Sequence, residues 1–384
     1  MAKKRIRVLH LPFNVGNHPF GLSQAERKLG LDSHHLVIPQ PDDFRVVEKS
    51  QLDKLRFSLL CEAWRWYYFL ATFSRYDVFH FNFGHKFFHF AVSWWKPNES
   101  PPRRIARLLF APYSFLIGKL DLWILKLLGK KIIVTFQGDD VRQGDVVARK
   151  YKTHFVSDVP AGYYDRISDQ RKRRIAKLWS RYADAIYALN PDLLSVLPDN
   201  ARFQPYAHVD PNSWISSTSQ TQLTDTLARP IKILHAPSNR AVKGTRYLLE
   251  ALDQLRKEGF EFEFSLIEGV PFVEAVEKYK EADLVVDQLL AGWYGGFAVE
   301  AMALGKPVIS YIREEDLQYI PKEMRSDLPI INADKHTIAS VLRSFLGNPK
   351  QLLQLGRNSR KFVERWHNPM LIAQKTIESY VTDS

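Results

Sequence analysis

The sequence predicts an α/β protein built from two doubly wound parallel sheets in tandem. Three observations predict it. Short apolar runs alternate with helical segments through the first 200 residues. The alternation stops in a polar stretch and restarts after Pro230. A chain of 384 residues also suits two domains of ordinary size better than one core. Strand–helix alternation at this spacing indicates βαβ units, whose crossovers make a sheet parallel.

The elements follow in order. A strand is expected over 5–11, running into a loop of Pro, Asn and Gly, then a short helix over 23–29 stopped by Gly30. A second strand is expected over 35–38, halted by Pro39 and Pro41, and a long aromatic helix over 52–73. Strands over 77–81 and 131–136, a helix over 171–182 and a strand over 185–189 complete the first half. The stretch 210–230 contains the polar run Ser216 to Gln222 and reads as a linker or a loop beside one. The second half repeats the pattern with strands over 231–236, 262–267, 284–287 and 307–310. Helices are expected over 243–257, ended by Gly259, over 271–282, opened by Pro271, and over 297–304, stopped by Gly305. Residues 337–380 read as mostly helical.

Composition narrows the class. Apolar residues make up 45% and charged residues 25%, the balance of a soluble globular chain. The single cysteine, Cys61, excludes an intramolecular disulfide and a cysteine-rich zinc site, and points to a reducing, cytoplasmic compartment. The basic start Met1 to Arg5 resembles a signal peptide, but the apolar run behind it contains His10 and is too short for one. The net charge of +12 is uneven: residues 1–200 hold 32 Lys and Arg against 19 Asp and Glu, and the remainder holds 22 against 23. The first half is therefore expected to meet an anionic partner.

Two segments of the second half carry chemistry. Gly292-Trp293-Tyr294-Gly295-Gly296 follows the strand ending at Asp287 and opens a helix. In open α/β sheets ligands bind beyond the carboxyl ends of the strands. Adjacent glycines there expose backbone N–H groups at a helix N-terminus, where they and the helix dipole attract a phosphate. Glu300, expected in the first turn of that helix, can accept bonds from ribose hydroxyls. A tight turn with a capping glutamate explains the same residues when they are taken alone. The second segment, Pro237 to Thr245, puts Arg240 and Lys243 just before a helix. Two cations beside phosphate-binding amides can neutralise a leaving diphosphate, although in isolation they read as solvated surface charges.

Together these segments resemble the C-terminal domain of the retaining, sugar-nucleotide-dependent glycosyltransferases of GT-B fold, the group that includes glycogen synthases and bacterial polysaccharide transferases. Glu300-Ala301-Met302-Ala303-Leu304-Gly305-Lys306-Pro307-Val308-Ile309 is similar to that group's E-A-M-A-x-G-x-P-V-I block. Lys243-Gly244 with Leu248-Leu249-Glu250-Ala251 is similar to its K-G-x-x-x-L-L-E-A segment. The resemblance implies two Rossmann-like domains facing each other across a cleft. An acceptor-binding domain is expected over 1–208, with the terminal helix, about 368–384, packed back on it. A donor-binding domain is expected over 209–367. It implies that Arg240 and Lys243 hold the donor diphosphate, that Gly295 and Gly296 offer it amides, and that Glu300 binds ribose. The family's usual sugar-reading glutamate is Gly292 here, which leaves the donor sugar open; Asp287 and Gln288 are candidates to replace it.

In the first half the resemblance is looser. The loop Asn14 to Gly21 resembles the family's glycine-bearing loop and makes Gly16 a candidate for the donor phosphates, though a plain strand-to-helix turn accounts for it equally. Asp77-Val78-Phe79-His80-Phe81-Asn82 resembles a D-V-V-H-x-H strand and makes His80 a candidate. Thr135 to Arg142 resembles T-x-H-G-x-D-x-R, with Gln137 at the histidine position and Asp140 kept as a group to orient acceptor or sugar. Pro205 to Asp210 resembles the family's domain junction. No metal and no cofactor are expected; the nucleotide-diphosphate sugar is a substrate. The basic, aromatic stretches around Trp64 to Phe69, Trp94 to Lys96 and Arg103 to Phe110, followed by the apolar 108–128, suit an amphipathic surface on an anionic membrane. An ordinary core helix with basic flanks fits them as well. Docking there, at the inner face of the membrane, would suit a lipid-linked saccharide acceptor. Nucleic acid is not an expected partner. The expected activity is transfer of a sugar, with retention, to a hydroxyl of a saccharide or lipid-linked saccharide. A non-hydrolysing sugar-nucleotide epimerase and a non-catalytic sugar-nucleotide-binding scaffold are the alternatives.

Overall fold

The computed structural model describes residues 5–37, 59–88, 112–113, 116–215 and 229–381. The first sheet contains β1 (Arg7–Leu11), β2 (Asp32–His35), β3 (Val78–Asn82), β4 (Lys131–Phe136), β5 (Ala185–Ala188) and β6 (Arg202–Phe203). Its order is β2-β1-β3-β4-β5-β6, and every pairing is parallel. The second contains β7 (Ile231–His235), β8 (Phe262–Leu266), β9 (Leu284–Val286), β10 (Val308–Ser310) and β11 (Ile331–Asn332). It runs β11-β10-β9-β7-β8, again all parallel.

Helices cover both faces of each sheet because the central strands are apolar on both sides. In the first half, α1 (His18–Lys28) lies on one face, while α2 (Leu59–Thr72), α3 (Leu120–Leu127) and α5 (Arg166–Tyr182) lie on the other; α4 (Gly144–Lys150) follows β4. Phe69, Leu122, Leu125 and Trp179 from the second set pack against Phe79, Phe81 and Val134 of the sheet. In the second half, α6 (Arg240–Lys243) leads into α7 (Thr245–Lys257), followed by α8 (Phe272–Glu281), α9 (Gly296–Ala303), α10 (Lys322–Asp327), α11 (Ile338–Gly347) and α12 (Lys350–Trp366). Leu248, Leu252 and Leu255 of α7 join Leu342 of α11 in one core, and α9 packs with α12 in another.

The last helix, α13 (Pro369–Val381), packs against α1, far back in sequence. Its Tyr380 hydroxyl donates to Glu26 at 2.6 Å and lies 3.0 Å from His80 Nδ1. The linker stretch 216–228 lies outside the described residues, as do the aromatic and basic stretches around Trp94 and Arg103 and the start of the long aromatic helix.

Several placements differ from expectation, among them the helix expected over 171–182, which begins at Arg166 behind the Asp165 cap. The second strand is Asp32–His35 and not 35–38: Ser33 is held by hydrogen bonds to Glu26 and Ser23 (2.6 and 2.9 Å), and pairing with β1 takes the polar residues before the apolar ones. The first helix starts at His18, because Pro19 supplies a preset helical φ in its first turn. Glu300 is the fifth residue of α9 and lies beyond its first turn.

Candidate functional site

The site is built at the carboxyl ends of both sheets. On the second, α6 and α9 begin where β7 and β9 end, which sets Lys243 opposite Asp287. Lys243 Nζ donates to Asp287 Oδ1 at 2.7 Å, and the Gly295 amide donates to Asp287 Oδ2 at 2.6 Å. Asp287 is fully buried and Lys243 is partly exposed, at 12%. The carboxylate therefore occupies a receptor for an oxyanion, made from one ammonium and one amide at a helix N-terminus. A Cβ on Gly295 would stand 3.0 Å from Lys243 Nζ, so glycine is what lets the two groups converge. Gly296, the first residue of α9, follows directly.

Glu300 faces the domain junction, 3.3 Å from His208 Nε2, too poorly aligned for a hydrogen bond. Arg240 points elsewhere. Its guanidinium pairs with Glu268, with Nε to Oε1 at 2.8 Å, and the side chain is largely exposed. With Asp158, Thr245 and Arg246 it lines a separate groove of about 450 Å³. The structure thus brings Lys243, Asp287 and Gly295 together, places Gly296 and Glu300 next along the helix, and leaves Arg240 on the rim.

On the first sheet, Asp140 lies in the loop after β4. Its carboxylate accepts the Gln137 and Gly138 amides at 2.9 and 2.8 Å. Burial pushes its carboxyl up to about 6, opposed by those two amides and by Arg142. Gly16, at φ +58, sits in the exposed turn after β1, on the same edge of the sheet. His80 is placed differently from its expected role. It is fully buried in the central strand β3, between Tyr380 and Thr135 Oγ1 at 2.8 Å. Burial, then the neighbouring His10 and His18, lowers its pKa well below the usual histidine range, so the ring is neutral. A strand covered on both faces leaves His80 no route to a ligand in the cleft.

Among the described residues, one group can bring three metal-ligating atoms within 4.8 Å of one another: His10, Glu26 and His80. Those groups are already joined by hydrogen bonds among themselves, Tyr380, Ser33 and Thr135, with His10 Nδ1 alone among their ring and carboxylate atoms left unpaired.

Several residues that the sequence did not mark as site residues surround the Asp140 loop and the junction. Asn190 donates to the Gln137 carbonyl and accepts from the Tyr206 hydroxyl at 3.0 Å. Burial raises the Tyr206 pKa, Arg142 opposes that, and Asp287 adds to it. Arg142 is held by buried Asp192, with Nε to Oδ2 at 2.6 Å. Tyr206 and His208 stand in the stretch already read as the junction; their polarity beside proline was the available signal. Arg313 gave no such signal. Its guanidinium fills the space beside Gly292, where any Cβ would overlap it, and Gly292 itself has φ +83.

No family model matches the chain, and no curated protein matches it either. Solved structures do. The chain is similar to sucrose-phosphate synthase from Thermosynechococcus elongatus, with 16% identity over 98% of each chain and a TM-score of 0.57. It is similar to Anabaena HepE in complex with UDP-glucose, with 12% identity over 98% of this chain and 99% of that one, and a TM-score of 0.57. A glycosyltransferase from Rickettsia africae matches at 13% identity over 98% of each chain, with a TM-score of 0.53. Two all-parallel sheets with helices on both faces, matched end to end by these structures, give the chain the GT-B fold.

Proposed function

We propose that the chain is a glycosyltransferase that moves a sugar from a nucleoside diphosphate to a hydroxyl acceptor, with retention and without a metal. The observation that carries this reading is the oxyanion receptor of Lys243 and the Gly295 amide at the start of α9, in a GT-B cleft. In the reaction the bond from the sugar's anomeric carbon to the β-phosphate oxygen breaks, and a bond to the acceptor oxygen forms. The acceptor proton leaves with the diphosphate or to solvent. The diphosphate takes the place of the Asp287 carboxylate on Lys243 and the Gly295 amide, and with the Gly296 amide these groups stabilise the charge that develops on it, in place of a metal ion. Arg240 reaches the same phosphates by exchanging Glu268 for them. Glu300 takes the ribose hydroxyls, and Asp140 orients the acceptor.

HepE binds UDP-glucose, which makes UDP-hexoses the first donors to test. The test is a thermal-shift screen against UDP-, GDP-, ADP- and dTDP-linked sugars, followed by product analysis with and without acceptors. Stabilisation by one nucleotide class and anomer-retaining product support the reading. An isomerised sugar formed from donor alone identifies an epimerase, and donor binding with no turnover identifies a scaffold.

The acceptor belongs with a membrane surface. Helices α2, α3 and α5 form one layer over β3 to β5. Trp64, Tyr67 and Leu70 of α2 and Trp123 and Leu127 of α3 are exposed on it. Arg171, Arg174, Lys177 and Arg181 of α5 are exposed beside them. An interfacial apolar face flanked by cations matches an anionic bilayer. No helix among the described residues is long and apolar enough to cross a membrane, so the contact we propose is peripheral, at the cytoplasmic face. Flotation with phosphatidylglycerol vesicles tests it: binding that salt releases is expected, and no binding at low salt overturns it.

A further inference from the structure

The segment between α4 and α5 leaves the first domain, touches the second and returns. Tyr151, at its start, is buried and donates its hydroxyl to Asp316 Oδ1 at 2.7 Å. Arg313 of the second domain stacks its guanidinium 3.5 Å from the Tyr151 ring centre. The same guanidinium donates to Asp316 at 3.0 Å and to the Thr153 carbonyl at 3.2 Å. Phe155 is buried against Leu290 and Ala291, the residues just before Gly292. Asp158 accepts from Arg246 and Tyr247 at 2.9 and 2.7 Å. The segment then returns to the first domain, where the Tyr163 and Tyr164 hydroxyls donate to Asp139, the neighbour of Asp140.

Both ends of this strap meet the candidate site. At one end Arg313 also donates its backbone amide to the Gly292 carbonyl at 3.0 Å, and its guanidinium backs the same glycine. At the other, Asp139 is tied to Arg142 at 3.3 Å within the Asp140 loop. Burial pushes the Asp139 pKa up, but Arg142 and the two tyrosine hydroxyls outweigh it and hold the carboxyl below its ordinary value, so it stays an anion that anchors the strap.

We propose that Tyr151, Phe155 and Arg313 are positioning residues: through the strap they lock the turn that opens α9 to the Asp139–Asp140 loop, so donor and acceptor sites take up their working geometry together. None of the three needs to touch a substrate. The catalytic consequence rests on the transferase reading; the mechanical one does not. A cleft held shut by this lock excludes water while the anomeric carbon is exposed, which favours transfer over hydrolysis.

The experiment compares the whole protein with Tyr151→Phe, Phe155→Ala and Tyr163→Phe. The first and third each remove one hydroxyl and keep the ring, which preserves the fold. Hydrogen exchange is followed at residues 137–142 and 288–296, with circular dichroism as the check on folding. Loss of the buried Tyr151 bond to the Asp316 carboxylate raises opening roughly tenfold to hundredfold, and loss of the exposed Tyr163 bond to Asp139 raises it less. Faster exchange is expected in both loops for either tyrosine variant, although the Tyr151 hydroxyl contacts neither and the Tyr163 hydroxyl only the first. Where a donor is turned over, the ratio of hydrolysis to transfer rises and kcat falls more than KM for the donor changes. Faster exchange confined to the strap, or to the loop that Tyr163 touches, overturns the proposal. So does an unchanged hydrolysis ratio in an active enzyme. If no donor is turned over, the transferase reading fails while the exchange result still decides this one.

Discussion

Lys243→Ala tests the oxyanion receptor, and the structure says what it does to the fold as well as to the chemistry. Lys243 is the cation paired with Asp287, whose side chain is fully buried. Truncating the lysine leaves that carboxylate with the Gly295 amide and no countercharge. Removing one partner of a buried ion pair costs about 3–5 kcal/mol. For a domain of this size each kcal/mol lowers Tm by roughly 2–4 °C, so the second domain should melt roughly 6–20 °C earlier. Turnover of Lys243→Ala is therefore ambiguous alone. The informative variant is the double substitution Lys243→Met with Asp287→Asn, which removes both charges and keeps an acceptor for Gly295. It should recover most of the lost Tm and still fail to gain stability from a nucleoside diphosphate. The assay is a thermal melt with and without UDP. The reasoning is refuted if Lys243→Ala melts within a degree of the wild type, or if the double variant is stabilised by UDP as the wild type is.

Three further outcomes follow from the same geometry. Gly292→Ala places a Cβ where the Arg313 guanidinium sits, in a backbone conformation at φ +83 that disfavours alanine. About 1–2 kcal/mol of backbone strain adds to about 3–5 kcal/mol for a displaced buried charge, giving about 4–7 kcal/mol by urea unfolding; a loss under 1 kcal/mol contradicts the packing. Asp140 has a carboxyl raised from 3.8 to about 6, so between those values the folded state binds a proton the unfolded state lacks. Its contribution to stability therefore rises as pH falls from 7 through 6 towards 4, by on the order of 2–3 kcal/mol. The gap in urea midpoint between wild type and Asp140→Asn should change between pH 5 and pH 7.5, and a constant gap removes the assignment. Glu300→Gln should weaken UDP more than inorganic diphosphate in competition binding, because only the former carries ribose; equal weakening speaks against a ribose contact.

The sequence revealed the frame more readily than the hinge. Gly305-Lys306-Pro307 marks the end of α9 and the start of β10 because glycine and proline act locally, and the structure begins β10 at Val308. Lys243, Asp287 and Gly295 could be picked out as candidates, since each stands near the end of a strand or the start of a helix, but their pairing with one another could not. β2 misled because Leu36-Val37-Ile38 is the apolar run, while the paired residues are polar and satisfied by Glu26. His80 misled for a related reason. A histidine in an apolar strand has the same local pattern whether it faces a cleft or a hydrogen-bonded core, and only Tyr380, 300 residues away, decides the matter. Arg313 and Tyr151 were invisible because their meaning lies in a contact between domains, at a sequence separation no local pattern encodes.

The contact between Tyr380 and Glu26 also bears on how the chain is made. It joins positions 354 residues apart and closes the buried polar cluster of the first sheet. During synthesis, β1 to β6 are complete long before Tyr380 exists. Until then Glu26 Oε1 and His80 Nδ1 lack the Tyr380 hydroxyl, although His10, Ser33 and Thr135 already hold the other atoms of the two side chains, and the face of α1 that α13 covers is open. The first domain is therefore the first to be made and the last to be finished. The second domain, whose sheet closes within 231–332, can fold as it emerges and hold its neighbour's final helix in reserve.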